Sequence, residues 1–135
     1  MDKRPKILIV EDEADFAKMV RMRLESEGYE VTVAENVHVG TQEILKGDHE
    51  LVILDLMMPE DEGFSVVRRM RRFPGRTSTP VVILTGKDID DKVRDTADAY
   101  GVAAVYSKPC DSVQFVEKIK SLLPVIPLDG DVSKQ

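Results

Sequence analysis

Five polar residues stand out because each one ends or closely follows a short apolar run of the chain. Glu11 and Asp12 follow one run, Asp55 follows another, Thr85 ends a third, and Lys108 comes shortly after a fourth. Taken singly, each has an ordinary explanation as a turn residue or a helix cap. Together, carboxylates, a hydroxyl and a lysine are the groups that hold a hard divalent cation and stabilise phosphoryl oxygens. Their joint position indicates phosphoryl-transfer chemistry.

Short apolar runs predict the strands that must position these residues. The runs at 7–10, 51–54 and 81–84 are unbroken and rich in β-branched residues. Such runs are typical of parallel strands that are buried on both faces. Residues 30–33 alternate polar and apolar side chains, which favours an edge strand, and residues 103–106 form a shorter fifth candidate.

Amphipathic stretches between these runs predict five helices. Asn36 is a candidate N-cap and Gly47 a candidate stop for the second helix, while Asp88 and Asp111 are candidates to open the fourth and fifth. The apolar residues at helical spacing are Phe16, Val20 and Leu24; Ile44 and Leu45; Val66, Val67, Met70 and Phe73; Ile89, Val93, Ala97 and Tyr100; and Val116, Ile119 and Leu123. Five strand-then-helix units predict an α/β fold, a three-layer α/β/α sandwich around a five-stranded parallel sheet. The strand order 2-1-3-4-5 is favoured because it places the alternating strand at an edge.

The carboxyl ends of parallel strands meet at one edge of the sheet, so the five polar residues should converge there. The carboxylates of Glu11, Asp12 and Asp55 would repel one another unless positive charge offset them. Lys108 supplies one charge, and Mg²⁺ would supply two more. Asp55 is then the candidate nucleophile, since aspartate can form an acyl phosphate, and Thr85 would donate a hydrogen bond to the attached group.

The stretches 7–13, 51–59 with Gly63, 82–86 and 108–109 resemble the receiver domains of two-component response regulators. The resemblance covers residues 6 to about 123 and implies a flavodoxin-like, chemotaxis-receiver-like fold. We therefore expect a receiver domain at 1–123 and a tail or linker stub at 124–135. The resemblance also implies a cytoplasmic signalling switch that catalyses only its own phosphorylation and dephosphorylation.

The resemblance assigns roles to individual residues. It makes Asp55 the phosphoacceptor and a sensor histidine kinase or phosphotransfer protein the donor. Asp12 would ligate Mg²⁺ directly, Glu11 would do so through water, and the backbone carbonyl of Met57 would be a further ligand. Thr85 and Lys108 would bind the phosphoryl group. Gly86 matches a position that is kept small, and Lys87 and Met57 match positions that flank the pocket and tune dephosphorylation.

One position departs from the family pattern. Relatives carry an aromatic residue three places before the lysine, and here that place holds Val105. Tyr106 follows one residue later, and in a strand a single step turns a side chain to the opposite face. We therefore expect Tyr106 to be a core aromatic, which calls into question the usual coupling between the threonine and the aromatic residue.

Composition restricts the remaining function classes. The 135 residues suit one domain, and no apolar run approaches the ~20 residues of a membrane span. The net charge of −6 disfavours direct binding to nucleic acid or membrane, and a single Cys110 leaves no intramolecular disulfide, as in a cytoplasmic protein. Cys110 is expected to be a small buried hydrophobe. His38 and His49 are expected at the surface.

The arginines at positions 68, 69, 71, 72 and 76 form the one basic patch of the sequence. Arg69, Arg72 and Arg76 fall on one helix face, which we interpret as a solvated surface rather than a docking site for an acidic partner. Three alternatives stay open: a docking module with a receiver fold but no phosphoryl chemistry, a receiver fragment of a larger regulator, and a domain that forms homodimers. In each case a downstream effector is the expected partner. A haloacid-dehalogenase-type phosphatase is set aside, because that chemistry needs a second Asp where this chain has Met57.

Overall fold

The computed structural model describes residues 4–58, 63–75, 77–109 and 112–126. Five strands, β1 (Lys6–Val10), β2 (Glu30–Ala34), β3 (Leu51–Leu54), β4 (Val81–Thr85) and β5 (Ala104–Ser107), form one parallel sheet in the order β2-β1-β3-β4-β5. The predicted strand order is therefore confirmed, with the alternating strand at an edge. The fully apolar strands β1, β3 and β4 lie in the middle, where both faces are covered.

Five helices cover the two faces of the sheet: α1 (Ala14–Ser26), α2 (Val37–Lys46), α3 (Ser65–Met70), α4 (Asp91–Ala99) and α5 (Ser112–Leu122). Buried side chains of α1 and α5 pack against one face, and those of α2, α3 and α4 pack against the other. Alternate residues of each central strand pack against the two helix layers: Leu8 faces α2, α3 and α4, and Ile9 faces α1 and α5. This is the predicted three-layer α/β/α sandwich.

Two of the predicted helix boundaries are confirmed at α2. The Asn36 side chain accepts a hydrogen bond from the Val39 N–H at 2.8 Å, so it caps the first turn. Gly47 ends the helix with φ of 81°, a left-handed conformation that suits glycine. The opening of α4 lies two residues later than predicted, because Asp90 rather than Asp88 accepts from the Val93 N–H at 2.9 Å. Asp111 and Cys110, for which a cap and a buried hydrophobe were predicted, lie outside the described residues.

Two side chains are not where the sequence predicted them. Leu45 was expected on the inner face of α2 but is 61% exposed, because adjacent helical residues diverge by about 100° and Ile44 already occupies the core side. His49 was expected at the surface but is only 8% exposed, since it lies in the turn that brings α2 back to β3. His38 is exposed, as expected.

Residues that follow α5 pack on the amino-terminal side of β2. The Tyr29 hydroxyl donates a hydrogen bond to the Leu123 carbonyl at 2.6 Å, and Val125 packs into the same core layer, next to Gly28. The packed chain therefore reaches at least Val125, while a division between domain and tail near residue 123 stays a prediction. Across the described residues, no helix combines the length and the apolarity that crossing a membrane requires.

Candidate functional site

The predicted site residues come together at the carboxyl edge of the sheet. Glu11 and Asp12 follow β1, Asp55 follows β3, Thr85 is the last residue of β4, and Lys108 follows β5. Carboxylate oxygens of Glu11, Asp12 and Asp55 all lie within 4.8 Å of one another. The sheet topology alone explains this meeting, because parallel strands bring their carboxyl ends to one rim.

Asp55 is buried, and its two carboxylate oxygens are held by different partners. Oδ1 accepts hydrogen bonds from the Met57 N–H at 2.9 Å and from the Thr85 hydroxyl at 2.7 Å. Oδ2 accepts from the Lys108 ammonium at 3.0 Å. The Thr85 hydroxyl oxygen in turn accepts from the Lys87 N–H at 3.1 Å, and the hydroxyl hydrogen is directed at Asp55. The carboxylate is thereby fixed in one orientation at the rim.

Lys108 connects the acidic residues of the site. Its Nζ lies 2.7 Å from Glu11, 3.0 Å from Asp55 and 2.8 Å from Glu13. The ammonium also lies over the Phe16 ring, 4.3 Å from the centroid, at a distance that gives a favourable cation–π contact. The sequence analysis gave no role to Glu13 or Phe16. The signals that could have revealed them were the third acid of the run after β1 and an aromatic one helical turn later.

Burial and charge act in opposite directions on the ionisable groups. Burial raises the pKa of the Glu11 carboxyl to about 7, because the hydrogen bonds from Lys108 and from the Glu13 N–H oppose burial without cancelling it, and the charge of nearby Asp55 adds to the rise. Burial also raises the pKa of Asp55, but the hydrogen bonds it accepts from Met57, Thr85 and Lys108 outweigh burial, so its net pKa is lowered. Burial lowers the pKa of Lys108, but its carboxylate partners outweigh burial and raise it. Asp55 therefore stays ionised beside a charged lysine.

The donor set fits a hard divalent cation. Glu11, Asp12 and Asp55 offer three carboxylate oxygens in one cluster, and Mg²⁺ prefers oxygen ligands with several waters retained. Asp12 is exposed, so a cation there would keep access to solvent, whereas Glu11 and Asp55 are each only 3% exposed. Among the described residues this is the one group of carboxylate, histidine and cysteine side chains close enough to share a metal ion.

Met57, Gly86 and Lys87 lie beside Asp55 and Thr85 in the structure, with the Lys87 N–H bonded to the Thr85 hydroxyl. Met57 contributes its N–H to Asp55 while its side chain is largely exposed. A Cβ placed on Gly86 would lie 3.8 Å from the Met57 sulfur, an ordinary contact distance. Gly86 and Met57 therefore lie next to each other beside Asp55, while their effect on dephosphorylation stays a prediction.

Val105 and Tyr106 face opposite sides of the sheet, as predicted. Val105 packs against the layer of α2, α3 and α4, whereas Tyr106 packs against the layer of α1 and α5. The Tyr106 ring meets Phe115 edge-on, with centroids 5.8 Å apart. Tyr106 is thus a packed aromatic on the side away from α4, and Val105 takes the place that the family gives to an aromatic ring.

The arginine patch is not one continuous solvated face. Arg71 turns inward and donates to the carbonyl oxygens of Thr79 at 2.7 Å, Tyr100 at 2.8 Å and Gly101 at 3.3 Å. Arg71 therefore lies apart from the solvated face expected for Arg69, Arg72 and Arg76, and it joins the end of α3 to the end of α4. Arg76, the last of the patch, lies outside the part of the chain that the structure describes.

Comparisons with known proteins agree with this geometry. Residues 7–120 match the family model of the response regulator receiver domain. The chain is 38% identical over 118 residues to the uncharacterised transcriptional regulatory protein YkoG of Bacillus subtilis, covering 87% of this chain and 50% of that protein. The chain thus spans about half the length of that relative.

Two solved structures show the same fold. The chemotaxis protein CheY4 of Vibrio cholerae has a TM-score of 0.82 at 25% identity, with 89% of this chain and 99% of that chain covered. The response regulator TrrA of Thermotoga maritima, solved in complex with Mg²⁺ and BeF, has a TM-score of 0.76 at 28% identity, with 88% of this chain and 99% of that chain covered.

Proposed function

The chain belongs to the response regulator receiver domain family, and from this premise we propose that it accepts a phosphoryl group on Asp55. Receiver domains of two-component response regulators work as phosphorylation switches. The donor we propose is a phosphohistidine of a sensor histidine kinase or a phosphotransfer protein, and the site of action is the cytoplasm. The observation that carries this proposal is the buried Asp55 carboxylate, ionised and held by Met57, Thr85 and Lys108.

The proposed transfer uses groups that are already in position. A carboxylate oxygen of Asp55 bonds to phosphorus while the P–N bond of the donor phosphohistidine breaks, and the electron pair returns to the imidazole nitrogen. The Thr85 hydroxyl and the Lys108 ammonium each bond to Asp55, within reach of oxygens on a phosphoryl group attached there. Dephosphorylation is a separate hydrolysis: water attacks phosphorus and gives up a proton to solvent, the P–O bond to Asp55 breaks, the carboxylate is regenerated and inorganic phosphate leaves.

Magnesium is the cofactor that we propose for this reaction. Glu11, Asp12 and Asp55 would hold it, with the Met57 carbonyl as a further ligand, and the ion would neutralise charge on the phosphoryl oxygens. The donor set of this chain and the Mg²⁺–BeF complex of TrrA support the assignment. The proposed output is a downstream effector domain or protein, since the curated relative YkoG is about twice as long as the matched region.

Treatment with Mg²⁺ and acetyl phosphate tests the proposal. We expect the intact mass to rise by one phosphoryl group in the wild-type protein and to stay unchanged in Asp55→Asn, which preserves the shape of the side chain. Beryllofluoride with Mg²⁺ should shift the backbone amide resonances around Thr85 and Lys87 in the wild type alone. A wild-type protein that neither gains mass nor responds to beryllofluoride would instead identify a docking module without phosphoryl chemistry.

A further inference from the structure

Glu13 holds the position that normally caps a helix, but its side chain is used elsewhere. It is the N-cap residue of α1 and makes no side-chain hydrogen bond to the first turn. Glutamate is not among the residues favoured as N-caps. Its Oε1 instead accepts from the Lys108 ammonium at 2.8 Å, 95 positions away in the chain. The Glu13 side chain therefore does not cap the start of α1.

The contact completes the hydrogen-bonding capacity of Lys108. An ammonium group has three hydrogens to donate and no acceptor. Carboxylates of Glu11, Asp55 and Glu13 take all three, at 2.7, 3.0 and 2.8 Å respectively. Lys108 can therefore bond to an oxygen of an arriving phosphoryl group only if it releases one of these carboxylates.

The three carboxylates differ greatly in what their release would cost. Glu11 and Asp55 are each 3% exposed by side chain, so the loss of the lysine would leave a buried carboxylate with neutral hydrogen-bond donors but without its ion-pair partner. The Glu13 side chain is 66% exposed and can return to water. Exposed ion pairs contribute little to stability, so the bond to Glu13 is the one that exchanges most easily.

We propose that Glu13 is a positioning residue that competes with the phosphoryl group for Lys108 and thereby lowers the affinity of the site for it. This inference rests on the phosphoryl-acceptor function proposed above. Substitution Glu13→Gln removes the competing charge at nearly constant size. The ammonium then exchanges a weaker partner for the phosphoryl oxygen, and binding of a phosphoryl mimic becomes tighter.

The test is a titration of the protein with beryllofluoride in the presence of Mg²⁺, followed by amide resonances in the wild type and two variants. Glu13→Gln should bind beryllofluoride roughly two- to fivefold more tightly, the factor that corresponds to an exposed ion pair. Glu35→Gln is the matched control, because Glu35 lines the same cleft as Glu11 and Asp12 and is exposed, without a contact to Lys108 among those described.

The salt dependence of beryllofluoride affinity distinguishes the direct Glu13–Lys108 contact from a general effect of removing a negative charge near the site. At about 0.5 M salt, repulsion between exposed charges is largely screened. The affinity gain of Glu13→Gln should be smaller there, because salt also weakens an exposed ion pair, but it should still exceed that of Glu35→Gln, which should match the wild type. Equal effects of the two variants, or no gain for Glu13→Gln, would overturn the role of Glu13 and leave the phosphoryl-acceptor function intact. A purely structural role would change the free energy of unfolding and leave beryllofluoride affinity unaltered. Failure of the wild type to bind beryllofluoride would contradict the proposed phosphoryl-acceptor function itself.

Discussion

Arg71 makes a contact that a single substitution can test. Its guanidinium joins three backbone carbonyls from two separate segments: Thr79 before β4, and Tyr100 and Gly101 after α4. Arg71→Met keeps most of the aliphatic stem and removes the donors. The carbonyls of Thr79 and Tyr100 would lose short, partly buried hydrogen bonds, so we expect a lower free energy of unfolding.

The magnitude follows from the two short bonds. A hydrogen bond to a charged group contributes about 1.5–3 kcal/mol, and the longer, exposed bond to Gly101 adds little. Burial lowers the pKa of Arg71, which shows that desolvation of the guanidinium offsets part of this gain. We therefore expect Arg71→Met to lower the free energy of unfolding by about 2–3 kcal/mol, a large part of the ~5–15 kcal/mol typical of a domain.

Urea unfolding followed by circular dichroism measures this loss, with Arg72→Met as the control. Arg72 is exposed and adjacent in the chain, so its substitution should change the free energy of unfolding by less than about 0.5 kcal/mol. Hydrogen exchange adds a local measure: the Val102 N–H, bonded to the Ala97 carbonyl at 2.9 Å, should exchange faster in Arg71→Met alone. Equal stability of the two variants would refute the reasoning that Arg71 fastens α4 to α3.

Two further predictions concern Thr85 and His49. Thr85→Val removes the buried hydroxyl that bonds both Asp55 and the Lys87 N–H, whereas Thr85→Ser retains it. In urea unfolding, the free energy of unfolding of Thr85→Val should therefore be about 1–3 kcal/mol lower than that of Thr85→Ser. Equal free energies of unfolding would contradict this. Burial lowers the pKa of His49, against the charges of nearby acids, so the unfolded chain binds the proton more tightly. The free energy of unfolding should therefore fall as pH drops below about 6.5, and this His49 contribution should vanish in His49→Gln but persist in His38→Gln.

The sequence by itself determined the architecture and the location of the site. Unbroken apolar runs at β1, β3 and β4 predicted central strands, and the alternating run predicted the edge strand. These signals are local, since each depends on residues within one element. The site followed from them, because a residue at the end of a parallel strand must lie at the carboxyl rim. Asp55, Thr85 and Lys108 could thus be placed together before any coordinates were known.

The tertiary structure determined which partners the polar side chains bond to. Glu13 had no role predicted from the sequence, yet it bonds Lys108, which lies 95 positions away in the chain. Arg71 was one arginine of a basic patch with no role of its own, and His49 was predicted to be a surface histidine in a polar segment. The physical reason is that burial and hydrogen bonding depend on what neighbouring elements place opposite a side chain. That information lies in contacts between residues distant in sequence, which no local pattern encodes.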